Sequence, residues 1–134
     1  MMLKFRTMHQ EMCEDALSPV SSKDPRITRL GRFLRRFSLD EFPQFLNVLR
    51  GEMSLVGPRP EMPFIVDQYS AVGRLRLDAR PGITGLWQVS EARKDPIHEN
   101  LDYDLYYIEN QSFFLDMVIL FLTLMAVLRI RTVH

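Results

Sequence analysis

The chain is poor in the residue types that most metal and redox chemistry requires. It has 134 residues and one cysteine, Cys13, which excludes a disulfide framework and a thiolate zinc site of the usual kind. Its three histidines, His9, His98 and His134, stand alone without ligand-like spacing. Charge of one sign is missing too. Seventeen Lys and Arg balance seventeen Asp and Glu, so net charge gives no argument for nucleic acid or an acidic substrate. Lys4, Arg6 and Glu11 interrupt the first dozen residues, so no secretory signal is expected there. No repeat or low-complexity tract is visible. The chemistry is left to carboxylates and basic groups.

What remains is the composition of an ordinary folded domain, 46% hydrophobic and 25% charged. The length suits one domain over residues 1–134 and is short for two with separate cores. The predicted class is α+β and predominantly helical, a small single domain with amphipathic interfacial helices and a short strand element. Residues 9–25 read as a polar connector ending at Asp24-Pro25, where a helix can open. From Arg26 to Phe37, Ile27, Leu30, Leu34 and Phe37 recur at steps of three and four, predicting a helix. Ser38 starts a second helix that Gly51 ends, and residues 53–61 form a loop around Gly57-Pro58-Arg59-Pro60. A helix is expected over Met62–Leu77, then the cluster Arg80-Pro81-Gly82-Ile83-Thr84-Gly85 and a short strand, Leu86–Val89. His98–Glu109 looks helical, and Ser112 is placed to cap a terminal apolar helix. The longest uncharged stretch of that helix, Met117–Leu128, has twelve residues against the roughly 20 needed to span a bilayer. A core helix and a helix in the membrane interface both fit it, with Arg129 and Arg131 able to snorkel.

The densest constellation is Arg35-Arg36-Phe37-Ser38-Leu39-Asp40-Glu41. Ser38 with Glu41 three positions on fits a helix capping box. The other reading is chemical. Asp40 and Glu41 sit in a first helical turn, where amides and the helix dipole favour negative charge, and Arg35 and Arg36 would keep Asp40 ionised. One carboxylate could then attack phosphorus while its neighbour holds a divalent cation that neutralises phosphate oxygens. Pro43 removes an amide from the next turn and should bend it. Residues 23–36 set six cations against Asp24, which suits a solvated face, anionic headgroups or a phosphate-bearing substrate. A helix-turn-helix is disfavoured, because the second helix is acidic where base-reading residues would sit. Arg59, between two prolines, is either a pre-ordered phosphate ligand or part of a rigid turn paired with Glu61 or Glu52. Asp104, beside Tyr106 and Tyr107, reads on its own as a cap or surface pair, and Asn110-Gln111-Ser112 as a chance sequon.

Taken in order, several stretches resemble the bacterial sugar transferase family, the monotopic polyprenol-phosphate phosphoglycosyl transferases. They are Lys4-Phe5-Arg6-Thr7-Met8, Asp24-Pro25-Arg26-Ile27-Thr28, Ser38-Leu39-Asp40-Glu41-Phe42-Pro43-Gln44, residues 47–60, residues 80–89, Asp104-Leu105-Tyr106-Tyr107-Ile108 and the segment 112–123. The resemblance implies transfer of a sugar 1-phosphate from a nucleotide diphosphate sugar to a polyprenol phosphate, such as undecaprenyl phosphate. The reaction would initiate exopolysaccharide, O-antigen or glycoconjugate synthesis at the cytoplasmic face of the bacterial inner membrane. It implies Mg²⁺ as cofactor, Asp40 as the nucleophile forming a covalent phosphosugar, and Glu41 as the metal carboxylate. Arg35 and Arg59 would hold phosphates, and Lys4 and Asp104 would belong to the substrate site. Family members carry an N-terminal membrane hairpin and a strand segment before the lysine motif. A catalytic domain shortened at its N-terminus is therefore expected. Many members also have Gly and then Arg after the segment matching Gln88-Val89-Ser90, where this chain has Glu91-Ala92 before Arg93. The alternative function is a non-catalytic membrane-surface or partner-binding remnant of that family. Nucleic acid is not an expected partner.

Overall fold

A computed structural model describes residues 1–10 and 23–132, and the side chains only as far as residue 128. Most of the predicted connector, with Cys13, His134 and the arginine side chains at 129 and 131, lies outside the described residues. The α+β, mostly helical expectation holds: helices, most of them short, accompany a two-stranded parallel sheet. The chain divides into two compact units, Met1–Leu46 and Asn47–His134.

In the first unit, the segment around Thr7 forms a backbone rail. Met8 and Ile27 make an antiparallel bridge, His9 donates to the Arg26 carbonyl, and the Thr28 amide donates to the Thr7 carbonyl. The predicted start of the first helix moves by three residues. Asp24 accepts from the Arg26 amide and guanidinium, which makes a local turn of Asp24-Pro25-Arg26. That pairing holds the Asp24 carboxyl down at about pKa 2. Helix α1, Arg29–Arg36, starts only after Thr28, whose hydroxyl caps the Gly31 amide at 2.8 Å. Its packed face also differs from the periodic reading. Leu30 is 68% exposed, whereas Gly31 is buried because a Cβ there would lie 2.1 Å from the Thr7 carbonyl oxygen. Absence of a side chain, rather than an apolar one, seats this helix.

The capping box does not form. Ser38 takes left-handed angles, φ 55° and ψ 23°, and its side chain caps nothing. The expected long second helix becomes a 3₁₀ turn, Leu39–Glu41, followed by helix α2, Gln44–Leu49. Pro43 explains the break: it has no amide for the Leu39 carbonyl, which is met instead by Phe42 at 3.2 Å. Gly51, at φ 76°, follows the end of α2 as expected.

The second unit is built on strands β1, Ser54–Val56, and β2, Gly82–Thr84, which pair in parallel with Ser54 opposite Gly82 and Val56 opposite Thr84. Residues 54–56 read from sequence as loop, and the expected strand at 86–89 is instead helix α5, Leu86–Val89. A helical turn puts Leu86 and Val89 together on the core of Val56, Tyr107 and Ile119, which an alternating strand would not do. The predicted helix over 62–77 breaks into α3, Pro63–Val66, α4, Ala71–Arg74, and a 3₁₀ turn, Leu75–Asp78. Ser70 restarts the chain by capping the Gly73 amide. Two 3₁₀ turns, Glu91–Lys94 and Ile97–Glu99, lead into α6, Leu101–Glu109.

Helix α7, Phe113–Thr132, is capped by Ser112 as expected. Among its described side chains, it packs along one stripe. Ile119 is fully buried, with Leu115 and Leu120 beside it, while Phe113, Phe114, Phe121 and Leu124 are exposed. Each fully buried aliphatic side chain in that stripe contributes about 1.5–3 kcal/mol. Asp116, which interrupts the apolar sequence, accepts from the Tyr107 hydroxyl at 2.6 Å. Burial and that bond push the Tyr107 phenol pKa up. Thr123 donates to the Ile119 carbonyl and shares a 2.7 Å hydroxyl bond with Thr84, tying α7 to β2. No helix among the described residues is long and apolar enough to cross a membrane.

Candidate functional site

The acidic pair lies in the first unit, on the 3₁₀ turn that Ser38 opens. An L-residue at positive φ is disfavoured by about 1–2 kcal/mol, so the surrounding bonds must impose this conformation. One of them is visible: the Phe5 amide donates to the Asp40 carbonyl at 2.9 Å. The same segment supplies the charge partner. Lys4 Nζ is 3.2 Å from Asp40 Oδ2 and 3.5 Å from Glu41 Oε1, so one ammonium faces both carboxylates. Asp40 is only 4% exposed, and Glu41 is half-buried.

Lys4, Asp40 and Glu41 are thus brought together. Arg35 is not their partner; its Nε donates to the Thr7 hydroxyl at 2.8 Å. Arg36 lies over the Phe37 ring, 5.7 Å from its centroid. The cation that sequence reading put beside Asp40 was the adjacent arginine pair, whereas the fold delivers Lys4 from 36 positions upstream. Thr7 was missed as an organiser. It is buried, its carbonyl meets Thr28 and its hydroxyl meets Arg35. Its only sequence signal was membership of the Lys4–Met8 stretch.

As donors, the two carboxylates offer hard oxygens of the kind Mg²⁺ takes. No group of three or more His, Cys, Asp or Glu side chains that could hold a metal exists among the described residues. Such a donor set suits a cation completed by substrate phosphates and water rather than one caged by protein.

The second unit holds Arg59 and Asp104. The two glycine- and proline-containing clusters, each weak alone in the sequence, are adjacent parts of one structure. The Ser54 amide donates to the Pro81 carbonyl, Gly57 to Thr84 and Gly82 to Pro58, at 2.8–3.0 Å. A Cβ on Gly82 would lie 2.1 Å from the Gly57 nitrogen, so the two chains approach more closely than side chains permit. Arg59 extends from this platform between its two prolines and is half-buried.

Asp104 is 1% exposed and forms an ion pair with Arg76, which is itself fully buried. Burial pushes the Asp104 carboxyl pKa up, and Arg76 opposes that push. The packing gives Asp104 a buried partner rather than an opening to solvent. Arg76 was invisible beforehand, because in Leu75-Arg76-Leu77-Asp78 it reads as an ordinary surface charge.

The sequence model described as Bacterial sugar transferase matches residues 1–130. Over 95% of its length the chain is 45% identical to the UDP-galactose-lipid carrier transferase of Erwinia amylovora, of which it covers 30%. It is 41% identical over 93% of its length to the exopolysaccharide production protein ExoY of Rhizobium meliloti, covering 62% of that protein. It is 44% identical over 90% of its length to the undecaprenyl-phosphate glucose phosphotransferase of Komagataeibacter xylinus, covering 25% of it. The chain therefore spans between a quarter and just under two thirds of these relatives. With the expected motifs present in order, the chain belongs to the bacterial sugar transferase family.

Proposed function

We propose that the chain carries the phosphoglycosyl transfer centre of a sugar transferase acting at the cytoplasmic face of the bacterial inner membrane. The substrates would be a nucleotide diphosphate sugar and a polyprenol phosphate. The names of relatives, a UDP-galactose-lipid carrier transferase and an undecaprenyl-phosphate glucose phosphotransferase, support that substrate class. One observation carries the reading: two adjacent carboxylates on a strained turn, both facing a single lysine.

In this reading an Asp40 carboxylate oxygen attacks the sugar-bearing phosphorus. The phosphoanhydride bond breaks, and the nucleoside monophosphate leaves with the bonding electron pair. Lys4, 3.2 Å from Asp40 Oδ2, aims the carboxylate before attack. An oxygen of the polyprenol phosphate then attacks the same phosphorus and expels the Asp40 carboxylate, giving a polyprenol diphosphate sugar. Glu41 would hold Mg²⁺, with Asp40 adjacent, and a bound magnesium ion neutralises phosphate charge that would otherwise repel the nucleophile. Arg35 and Arg59 would hold phosphate groups. The exposed apolar side chains Phe42, Phe45 and Leu46, near the acidic turn in sequence, and those of α7 suit a substrate with a lipid tail.

Nucleoside monophosphate release from a panel of nucleotide sugars, with Mg²⁺ and undecaprenyl phosphate in vesicles, tests the reading. Asp40→Asn should abolish release and Glu41→Gln should weaken it. Unchanged turnover in Asp40→Asn removes the nucleophile. The exposed apolar face of α7 also favours a second reading, a membrane-surface module without turnover. Vesicle flotation that depends on residues 113–131, with no release from any nucleotide sugar, would select it.

A further inference from the structure

Arg76 takes no part in the chemistry above, yet it is among the most buried residues described, at 2% exposure. Its guanidinium reaches three segments of the second unit. Nε donates to Asp104 Oδ2 at 2.9 Å, on α6, and Nη1 donates to the Tyr69 hydroxyl at 2.8 Å, just before α4. Nη2 donates to Asp104 Oδ2 and to the backbone carbonyl of Arg59, each at 2.5 Å. The Tyr69 ring centroid lies 5.8 Å from the guanidinium carbon. Removing a guanidinium from water costs several kcal/mol unless its donors are met, so this planar fork is held in one orientation by its partners.

The partner that matters for function is the Arg59 carbonyl. Pro58 and Pro60 fix φ on either side of Arg59, and Pro60 narrows the Arg59 ψ to the extended range without setting the peptide plane to one orientation. A bond to that carbonyl fixes the plane, and with it the direction in which Cα of Arg59 projects its side chain. We propose that Arg76, oriented by Asp104 and Tyr69, is a positioning residue that sets the backbone of Arg59 for binding a diphosphate. This rests on the reading of Arg59 as a phosphate ligand. Lysine at 76 would keep the charge and lose the fork. Phenylalanine at 69 would keep the ring and lose the hydroxyl acceptor.

The test is a double-mutant cycle on binding of magnesium pyrophosphate, read by calorimetry, with folding followed by circular dichroism. Arg76→Lys should weaken binding about tenfold, and Tyr69→Phe about threefold, amounts typical of lost charged and neutral hydrogen bonds. In the Arg59→Ala background, neither change should weaken binding further. Equal losses in both backgrounds overturn the proposal, because a merely structural hub does not depend on the side chain at 59. If Arg76→Lys fails to fold, Tyr69→Phe decides by the same comparison. If Arg59→Ala binds pyrophosphate like the parent, or the parent does not bind it, the phosphate-ligand reading fails and the positioning role falls with it.

Discussion

The acidic turn and the arginine loop are built in opposite ways. Asp40 and Glu41 stand on a three-residue 3₁₀ turn opened by a serine at positive φ, faced by one half-exposed lysine and tied by a backbone bond from Phe5. Arg59 grows from a platform with no room for a methyl group, and its carbonyl is fastened to a buried guanidinium with two further partners. In the proposed reading, the first arrangement sets both carboxylates against one lysine that substrate or metal would replace. The second fixes the backbone of the proposed phosphate ligand. Strain and a solvent-accessible counter-charge suit a nucleophile, and rigidity suits a phosphate clamp.

The sharpest way to break this contrast is to remove the nucleophile. Asp40→Asn keeps the shape of the turn and should lower nucleoside monophosphate release by about 10³-fold or more, measured at saturating nucleotide sugar. A variant retaining parent turnover would make the acidic turn structural. The rigid side of the contrast is tested by Gly82→Ala. Its Cβ would collide with the Gly57 backbone, so urea denaturation should report a loss of about 1–3 kcal/mol. The strained side predicts the opposite sign. Ser38→Gly relieves the left-handed penalty and should raise stability by about 0.5–1 kcal/mol, after the greater entropy of glycine in the unfolded chain is counted.

The smallest expected effect is a pH response in the turn that leads into α1. Asp24 sits at about pKa 2, below the 3.8 of a free side chain. A depressed carboxyl contributes stability that is present above pH about 4 and is lost as pH falls toward 2. Asp24→Asn should flatten that part of the stability profile. A parent profile already flat between pH 4 and 2 would contradict the pairing with Arg26.

Much of this was legible where chemistry is local. The acid pair, the proline-flanked arginine and the Ser112 cap were recognised from neighbouring residues, and their order along the chain carried the family resemblance. The misreadings share a physical cause, which is that distant contacts overrode local signals. Ser38 and Glu41 have the spacing of a capping box, but Pro43 and the Phe5–Asp40 bond select a 3₁₀ turn. Leu30 has the periodicity of a core position, yet Gly31 seats the helix. Residues 86–89 looked like a strand because the sequence does not reveal that Gly57 and Gly82 pack back to back, which starts the pairing four residues earlier. Arg76 carried no local signal, since its partners lie 7, 17 and 28 positions away.

Intact-mass and peptide spectrometry of the protein with Mg²⁺ and a nucleotide sugar, beginning with UDP-galactose and without polyprenol phosphate, tests the central claim most directly. The expected result is one phosphosugar added to the peptide containing Asp40, lost in Asp40→Asn and discharged when undecaprenyl phosphate is supplied. Turnover with no adduct at Asp40, retained at the parent rate by Asp40→Asn, would contradict it.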